Sequence, residues 1–185
     1  FRKKINNDLG VKYSLNDYVL KATAKALKNN KHILVSLDGD QIIKRAHVNI
    51  GMAVALEDGL IVPVIKDADK MSLGEISEAA RDLAERARTN KLSMDEYKGS
   101  TFSISNLGMF GVETFNPIIN QPDAGILGVC AVQDELVMDD AGAITKRQFM
   151  RISFTFDHRL IDGATAAKFE LAIRDLMEHP MQILL

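Results

Sequence analysis

At 185 residues, with 46% hydrophobic and 26% charged side chains, the chain has the size and balance of one globular domain able to bury a substantial core. A formal net charge of −2, with no basic block, argues against a nucleic-acid surface and against a polybasic membrane anchor. No run of about 18 apolar residues exists for a transmembrane helix, no signal-peptide pattern is present, and the one cysteine, Cys130 in GILGVCAV, has no internal disulfide partner and reads as a small buried hydrophobe.

The first residue is Phe1, inside a charged segment, which implies a fragment or a processed piece of something longer. Helical and extended segments then alternate, without internal repeats or linkers. YSLNDYVLKATAKALKNN predicts a helix: Ser14 with Asp17 three residues on resembles a capping box. Leu15, Tyr18, Val19, Ala22 and Ala26 form its apolar stripe, and Lys21, Lys25 and Lys28 fall on a side expected to be solvated. QIIKRAHVNIGMAVALEDGLIVPVIKDA predicts two strands about a tight turn at Glu57-Asp58-Gly59. One face of the first holds Val48, Ile50, Met52, Val54 and Leu56. The other holds Asn49, Gly51, Ala53 and Ala55, small enough for another layer or a ligand to come close. LIVPVI is apolar on both faces and should be covered on both, and Pro63, lacking an N–H, marks an edge or a break.

MSLGEISEAARDLAERARTNKL is the clearest predicted helix, with Ser72 and Glu75 as a capping box and Leu73, Ile76, Ala80, Leu83 and Ala87 as its stripe. STFSISNLGMFG reads as a short strand breaking into a glycine-punctuated turn. AGILGVCAVQDELVM reads as a buried strand plus part of another, and AGAITKRQFM as a hairpin turn. In FMRISFTFDH, Met150, Ile152, Phe154 and Phe156 share one parity, and His158 continues that row if the strand persists. GATAAKFELAIRDLMEHP closes the chain as a helix with Ala166, Phe169, Ile173 and Leu176 on its core face and Pro180 as its stop. Together these elements predict an α/β, or α+β, two-layer domain with a mixed sheet.

Chemistry concentrates at FTFDHRLIDGA. A histidine is the usual general base near neutral pH, and Asp162, four residues after His158, either supports the imidazole or caps the following helix. A metal reading lacks further ligands. The other histidines have less company: His32 follows a Lys/Asn run, His47 opens a strand, and His179 sits beside Pro180 at a helix C-terminus. No G-x-S-x-G elbow, P-loop or G-x-G-x-x-G fingerprint is present. By itself Ser105 reads as a strand-end hydroxyl capping the next turn.

DHRLIDG, together with TFSISNLGMFG and NPIINQPDAGILGV, resembles the catalytic domain of the dihydrolipoamide acyltransferases, core subunits of 2-oxo acid dehydrogenase complexes. The resemblance runs from about Lys12 to Leu185 with the three motifs in family order. H-x-x-x-D-G alone is shared with chloramphenicol acetyltransferase and peptide-synthetase condensation domains, which carry a second histidine where this chain has Asp157. The resemblance implies a chloramphenicol-acetyltransferase-like fold and transfer of an acyl group from a dihydrolipoamide thioester to coenzyme A. It implies His158 as catalytic base, Asp162 as its motif partner, Ser105 as the hydroxyl facing the developing oxyanion, and Asn120 and Gly163 at the substrate, with no metal. It further implies a homotrimer with the active site between subunits, possible assembly into cubic or dodecahedral cores, lipoyl domains and dehydrogenase components as partners, and a bacterial cytoplasm or mitochondrial matrix as location. Residues 1–185 are then expected to be one catalytic domain, incomplete at its N-terminus, with lipoyl and peripheral-subunit-binding domains absent. SNLGMFG and GATAAKF look more like the pyruvate-type acetyltransferases than the succinyl branch. A branched-chain or acetoin-type enzyme, an acyltransferase acting on an amine or hydroxyl, and a catalytically silent scaffold are the alternatives.

Overall fold

The computed structural model describes residues 1–184. In chain order the elements are α1 (Arg2–Leu9), α2 (Leu15–Asn29), β1 (Val35–Asp38), β2 (Gln41–Lys44), β3 (Ile50–Met52), β4 (Val54–Leu56), β5 (Gly59–Ile61) and β6 (Val64–Ile65). There follow α3 (Leu73–Arg88), β7 (Phe102–Asn106), β8 (Gly125–Met138), β9 (Ile144–Phe156), α4 (Gly163–Glu178) and α5 (Met181–Leu184). Five strands form the main sheet in the order β6-β3-β7-β8-β9. β3, β7 and β8 run parallel, while β6 and β9 pair antiparallel at the two edges, so the sheet is mixed as expected.

The helices start where local chemistry dictates. Both capping boxes form: Ser14 with Asp17 opens α2 and Ser72 with Glu75 opens α3, each joining side chain to backbone in both directions. The α2 helix lies between α3 and α4, and this helical layer meets the sheet through fully enclosed Leu20, Leu27, Ile76, Phe169 and Ile173 against Ile50, Phe102, Ile104 and Leu127. Burial of each such side chain contributes about 1.5–3 kcal/mol. All five expected stripe residues of α3 and all four of α4 are buried. Gly51 fits its small-residue row, because a Cβ there would stand 2.8 Å from Ser103 Oγ and 2.9 Å from Val62 Cγ1.

The structure corrects several expectations. The stretch after Val48 is two strands, since β3 joins the main sheet and β4 turns away to pair with β5 as a separate hairpin. Pro63 is the break between that hairpin and edge strand β6, and Leu60 lies exposed at the hairpin, so LIVPVI is covered only in its second half. GILGVCAVQDELVM is one strand, interrupted by a bulge between Val129 and Val132, and its partner begins at Ile144 rather than at Phe149. The segment expected as a turn is therefore largely strand, with the reversal confined to residues 139–143, where Asp139 Oδ1 accepts from the Ala141 and Ala143 amides. Lys21 is not on a solvated side; it is half-buried and its Nζ donates to the Met71 carbonyl, which ties α2 to the approach to α3.

Candidate active site

β9 delivers His158 by ending early. The strand stops at Phe156, and residues 158–160 form a turn. His158 therefore leaves the apolar row and is exposed, whereas Met150, Ile152, Phe154 and Phe156 pack partly buried against the core. The turn is fastened on both sides of the histidine. The Asp157 N–H donates to the Ala124 carbonyl at 2.8 Å, and the Leu160 and Ile161 amides donate to the Asp157 carbonyl. Asp157 Oδ1 accepts from the Arg159 amide at 3.0 Å, and the Arg159 guanidinium on its carboxylate holds Asp157 below the usual carboxylate range. Ile161 is buried and anchors the far side.

Behind the imidazole stands an aromatic column. Phe169 and Phe102 pack on Phe154 at ring-centroid distances of 5.3 and 5.7 Å, Phe154 on Phe156 at 5.2 Å, and Phe156 on His158 at 5.5 Å. The ring is held from the core side, and no side chain among the described residues hydrogen-bonds to it. Asp162 performs the capping role. Its Oδ1 accepts from the Thr165 N–H at 2.8 Å and its Oδ2 from the Thr165 hydroxyl at 3.0 Å, bonds that keep its carboxyl below its ordinary value, with His158 a lesser contributor. Gly163 begins α4 exposed, with open space where a side chain would be.

Asn120 belongs to a buried polar cluster that sequence reasoning missed. Its Nδ2 donates to Ser103 Oγ at 3.2 Å; Ser103 Oγ in turn donates to Asp123 Oδ2 at 2.6 Å, and Ser100 Oγ donates to Asp123 Oδ1 at 2.9 Å. Asp123 is only 4% exposed, and burial pushes its carboxyl up to about 6 against the serine hydrogen bonds. The folded state thus holds the Asp123 proton more tightly than the unfolded chain does. Its contribution to stability is complete below about pH 4 and is lost as pH rises through about 6. Asp123→Asn, which keeps an acceptor without a charge to desolvate, is expected to be more stable than the parent at pH 7.5, by up to about 3 kcal/mol. That advantage should shrink at pH 5, where the parent's carboxyl is largely protonated. Urea midpoints of both proteins at the two pH values check this, and a difference that does not vary with pH contradicts it.

Ser105 lies elsewhere. It lines a cavity of about 610 Å³ between α2, α3, β4 and the end of β7, with Asn16, Ser77, Arg81, Met109 and Phe110 among its neighbours. Its hydroxyl has no side-chain partner among the described residues, whereas Ser103 and Asn106 on either side are engaged. The registers separate it from the histidine: Ser105 pairs with Gly128, and Phe156 pairs with Gly125. Three residues of rise, two more to His158 and two strand spacings put the side chains on the order of 15 Å or more apart. The structure therefore keeps His158, Asp162 and Gly163 together beyond the end of β9 and leaves Ser105 further along β7, two residues past the Ser103 that holds Asn120. Nothing in the sequence signals that split, because it depends on the pairing of strands far apart in the chain.

The sequence profile described as 2-oxoacid dehydrogenases acyltransferase (catalytic domain) matches residues 1–185. A Zymomonas mobilis acetyltransferase component of the pyruvate dehydrogenase complex is 44% identical over 99% of this chain and 42% of its own length. A Rickettsia typhi succinyltransferase component of the 2-oxoglutarate dehydrogenase complex is 41% identical over all of this chain and 46% of its own length. The chain thus spans less than half the length of these curated relatives. Among solved structures, an Azotobacter vinelandii dihydrolipoamide acetyltransferase, studied for the roles of a serine, a histidine and an asparagine in its catalytic mechanism, superposes with a TM-score of 0.90 at 39% identity. The cubic core of a pyruvate dehydrogenase multienzyme complex gives the same values, and each match covers all of this chain and 76% of the other. Chloramphenicol acetyltransferase, at 14% identity and a TM-score of 0.61 over 95% of this chain and 82% of its own, shares the fold.

Proposed function

This chain belongs to the family of 2-oxoacid dehydrogenase acyltransferase catalytic domains, and from that membership we propose that it transfers an acyl group from dihydrolipoamide sulfur to coenzyme A sulfur, with His158 of one subunit and Ser105 of its neighbour forming one active site. The separation of the two side chains carries the reading. An exposed imidazole on a fastened turn and a free hydroxyl in a cavity, too far apart to act within one chain, are two halves of a site that a second copy completes. The A. vinelandii enzyme was studied through a serine, a histidine and an asparagine four positions after the histidine; here Asp162 stands four positions after His158.

In the proposed reaction, a ring nitrogen of His158 takes the coenzyme A thiol proton as the sulfur attacks the thioester carbonyl. A thiol of pKa about 8.5 is a few per cent thiolate at pH 7, so this step has only about 2 kcal/mol to supply. The carbonyl oxygen becomes an oxyanion and receives the Ser105 hydroxyl hydrogen bond, worth about 3–4 kcal/mol in such sites. Collapse breaks the bond to the dihydrolipoamide sulfur, which recovers the proton from the imidazolium. Asp162 keeps the turn and α4 in place, and Asn120 and Gly163 lie on the approach. Coenzyme A and lipoamide are substrates, the latter brought by a lipoyl domain. The working unit is a homotrimer that builds a larger core and meets the dehydrogenase components there.

Acetyl is the favoured acyl group, because the first charged side chain after Gly163 is Lys168, five residues on and exposed on α4. The assay is direct: S-acetyl- and S-succinyl-dihydrolipoamide are offered with coenzyme A, and the new thioester is measured. Faster acetyl transfer is expected. Faster succinyl transfer overturns the acyl assignment, and no coenzyme A thioester from either donor overturns the function.

A further inference from the structure

We propose that Asn106 and Asn16 form a positioning clamp for Ser105, an inference that rests on the acyl-transfer reading above. Asn106 is the last residue of β7 and uses both ends of its amide. Its Oδ1 accepts from the Gly108 N–H at 2.9 Å, closing the turn that leaves the strand, and its Nδ2 donates to Asn16 Oδ1 on α2 at 2.9 Å. The turn has no slack at this point, because a Cβ on Gly108 would stand 2.6 Å from the Cys130 carbonyl oxygen and 3.2 Å from Asn106 Oδ1.

Asn16 is itself anchored. It occupies the first turn of α2, and the next residue, buried Asp17, closes the capping box on the Ser14 amide and accepts from Ser77 Oγ of α3 at 2.7 Å. A path of short hydrogen bonds thus runs from α3 through α2 to the end of β7. Ser105 and Asn106 are successive residues of one strand, so tying Asn106 to the helical layer fixes the backbone that carries Ser105. The cavity wall includes Asn16, Asp17, Ser77, Ser105 and Asn106 together. Ser105 has no hydrogen bond of its own to orient it among the described residues, so its aim depends on the backbone that carries it. A donor for a developing oxyanion acts through preorganisation, and a misplacement of about 1 Å can cost about 10²-fold in rate.

The test uses the full-length, assembled protein. Asn106→Ala is expected to lower kcat by about 10- to 100-fold with the KM for coenzyme A changed by less than about twofold. On a Ser105→Ala background, the same substitution is expected to cost less than about threefold further, because the clamp acts through that serine. Asn106→Asp should restore kcat to within about threefold, since a carboxylate still accepts from Gly108 and, with the Asn16 amide turned over, from its NH2. Thermal melts and sedimentation of each variant confirm folding and assembly. Equal losses on the two backgrounds, or an Asp variant as poor as the Ala variant, overturn the clamp. An active parent with additive losses removes the clamp alone, whereas a parent that makes no coenzyme A thioester removes the function beneath it.

Discussion

His158→Ala is expected to lower kcat for coenzyme A acylation by about 10²–10⁴-fold while the protein folds and assembles as before. The physical case for an undisturbed fold is specific. The imidazole is exposed and makes no hydrogen bond among the described residues, and its ring packs on the Phe156 ring. The turn around it is held by Asp157, Arg159 and Ile161, which stay in place. Truncation therefore removes a proton acceptor and little else. Steady-state turnover at saturating coenzyme A, paired with a thermal melt, measures both halves of the statement. Turnover within twofold of the parent would remove the base assignment.

Ser105→Ala is expected to cost about 10²–10³-fold in kcat, with the KM for coenzyme A nearly unchanged, because the hydroxyl interacts with charge that exists only in the transition state. The wild-type hydroxyl bonds no neighbouring side chain among the described residues, and the residue lines a cavity. The alternative reading from sequence, a strand-end cap, finds no support, since the turn after β7 is capped by Asn106 instead. A rise in KM with kcat preserved would reassign Ser105 to substrate binding.

What could be read from the sequence was what is local. Ser14 with Asp17 and Ser72 with Glu75 announced the starts of α2 and α3, because a capping box lies within four consecutive residues. The stripe through Ala166, Phe169, Ile173 and Leu176 announced the buried face of α4 for the same reason. The sequence reading does not include the hairpin of β1 and β2, although its two-residue loop, Gly39-Asp40, is a recognised signal; Gly39 has φ 56, a left-handed conformation glycine adopts readily. The long β8–β9 ribbon was cut short because Lys146, Arg147 and Gln148 break the apolar alternation where the strands extend beyond the rest of the sheet. His158 and Asp162 were legible as a candidate pair by spacing, and the resemblance to a family supplied Ser105. Asp123 was not legible, since its serine partners lie 20 and 23 positions earlier in the chain and only the strand register brings them together.

The claim that one active site is made by two chains is tested most directly by mixing two disabled proteins. His158→Ala and Ser105→Ala subunits are dissociated, combined in equal amounts and reassembled, and acyl transfer to coenzyme A is measured in mixed particles verified by mass. Each interface that takes its histidine from a Ser105→Ala chain and its serine from a His158→Ala chain is intact, and random mixing makes about a quarter of the interfaces so. Recovery toward that fraction of parental turnover is the expected result. Mixed particles no more active than either variant alone would contradict a site shared between His158 and Ser105 of different subunits.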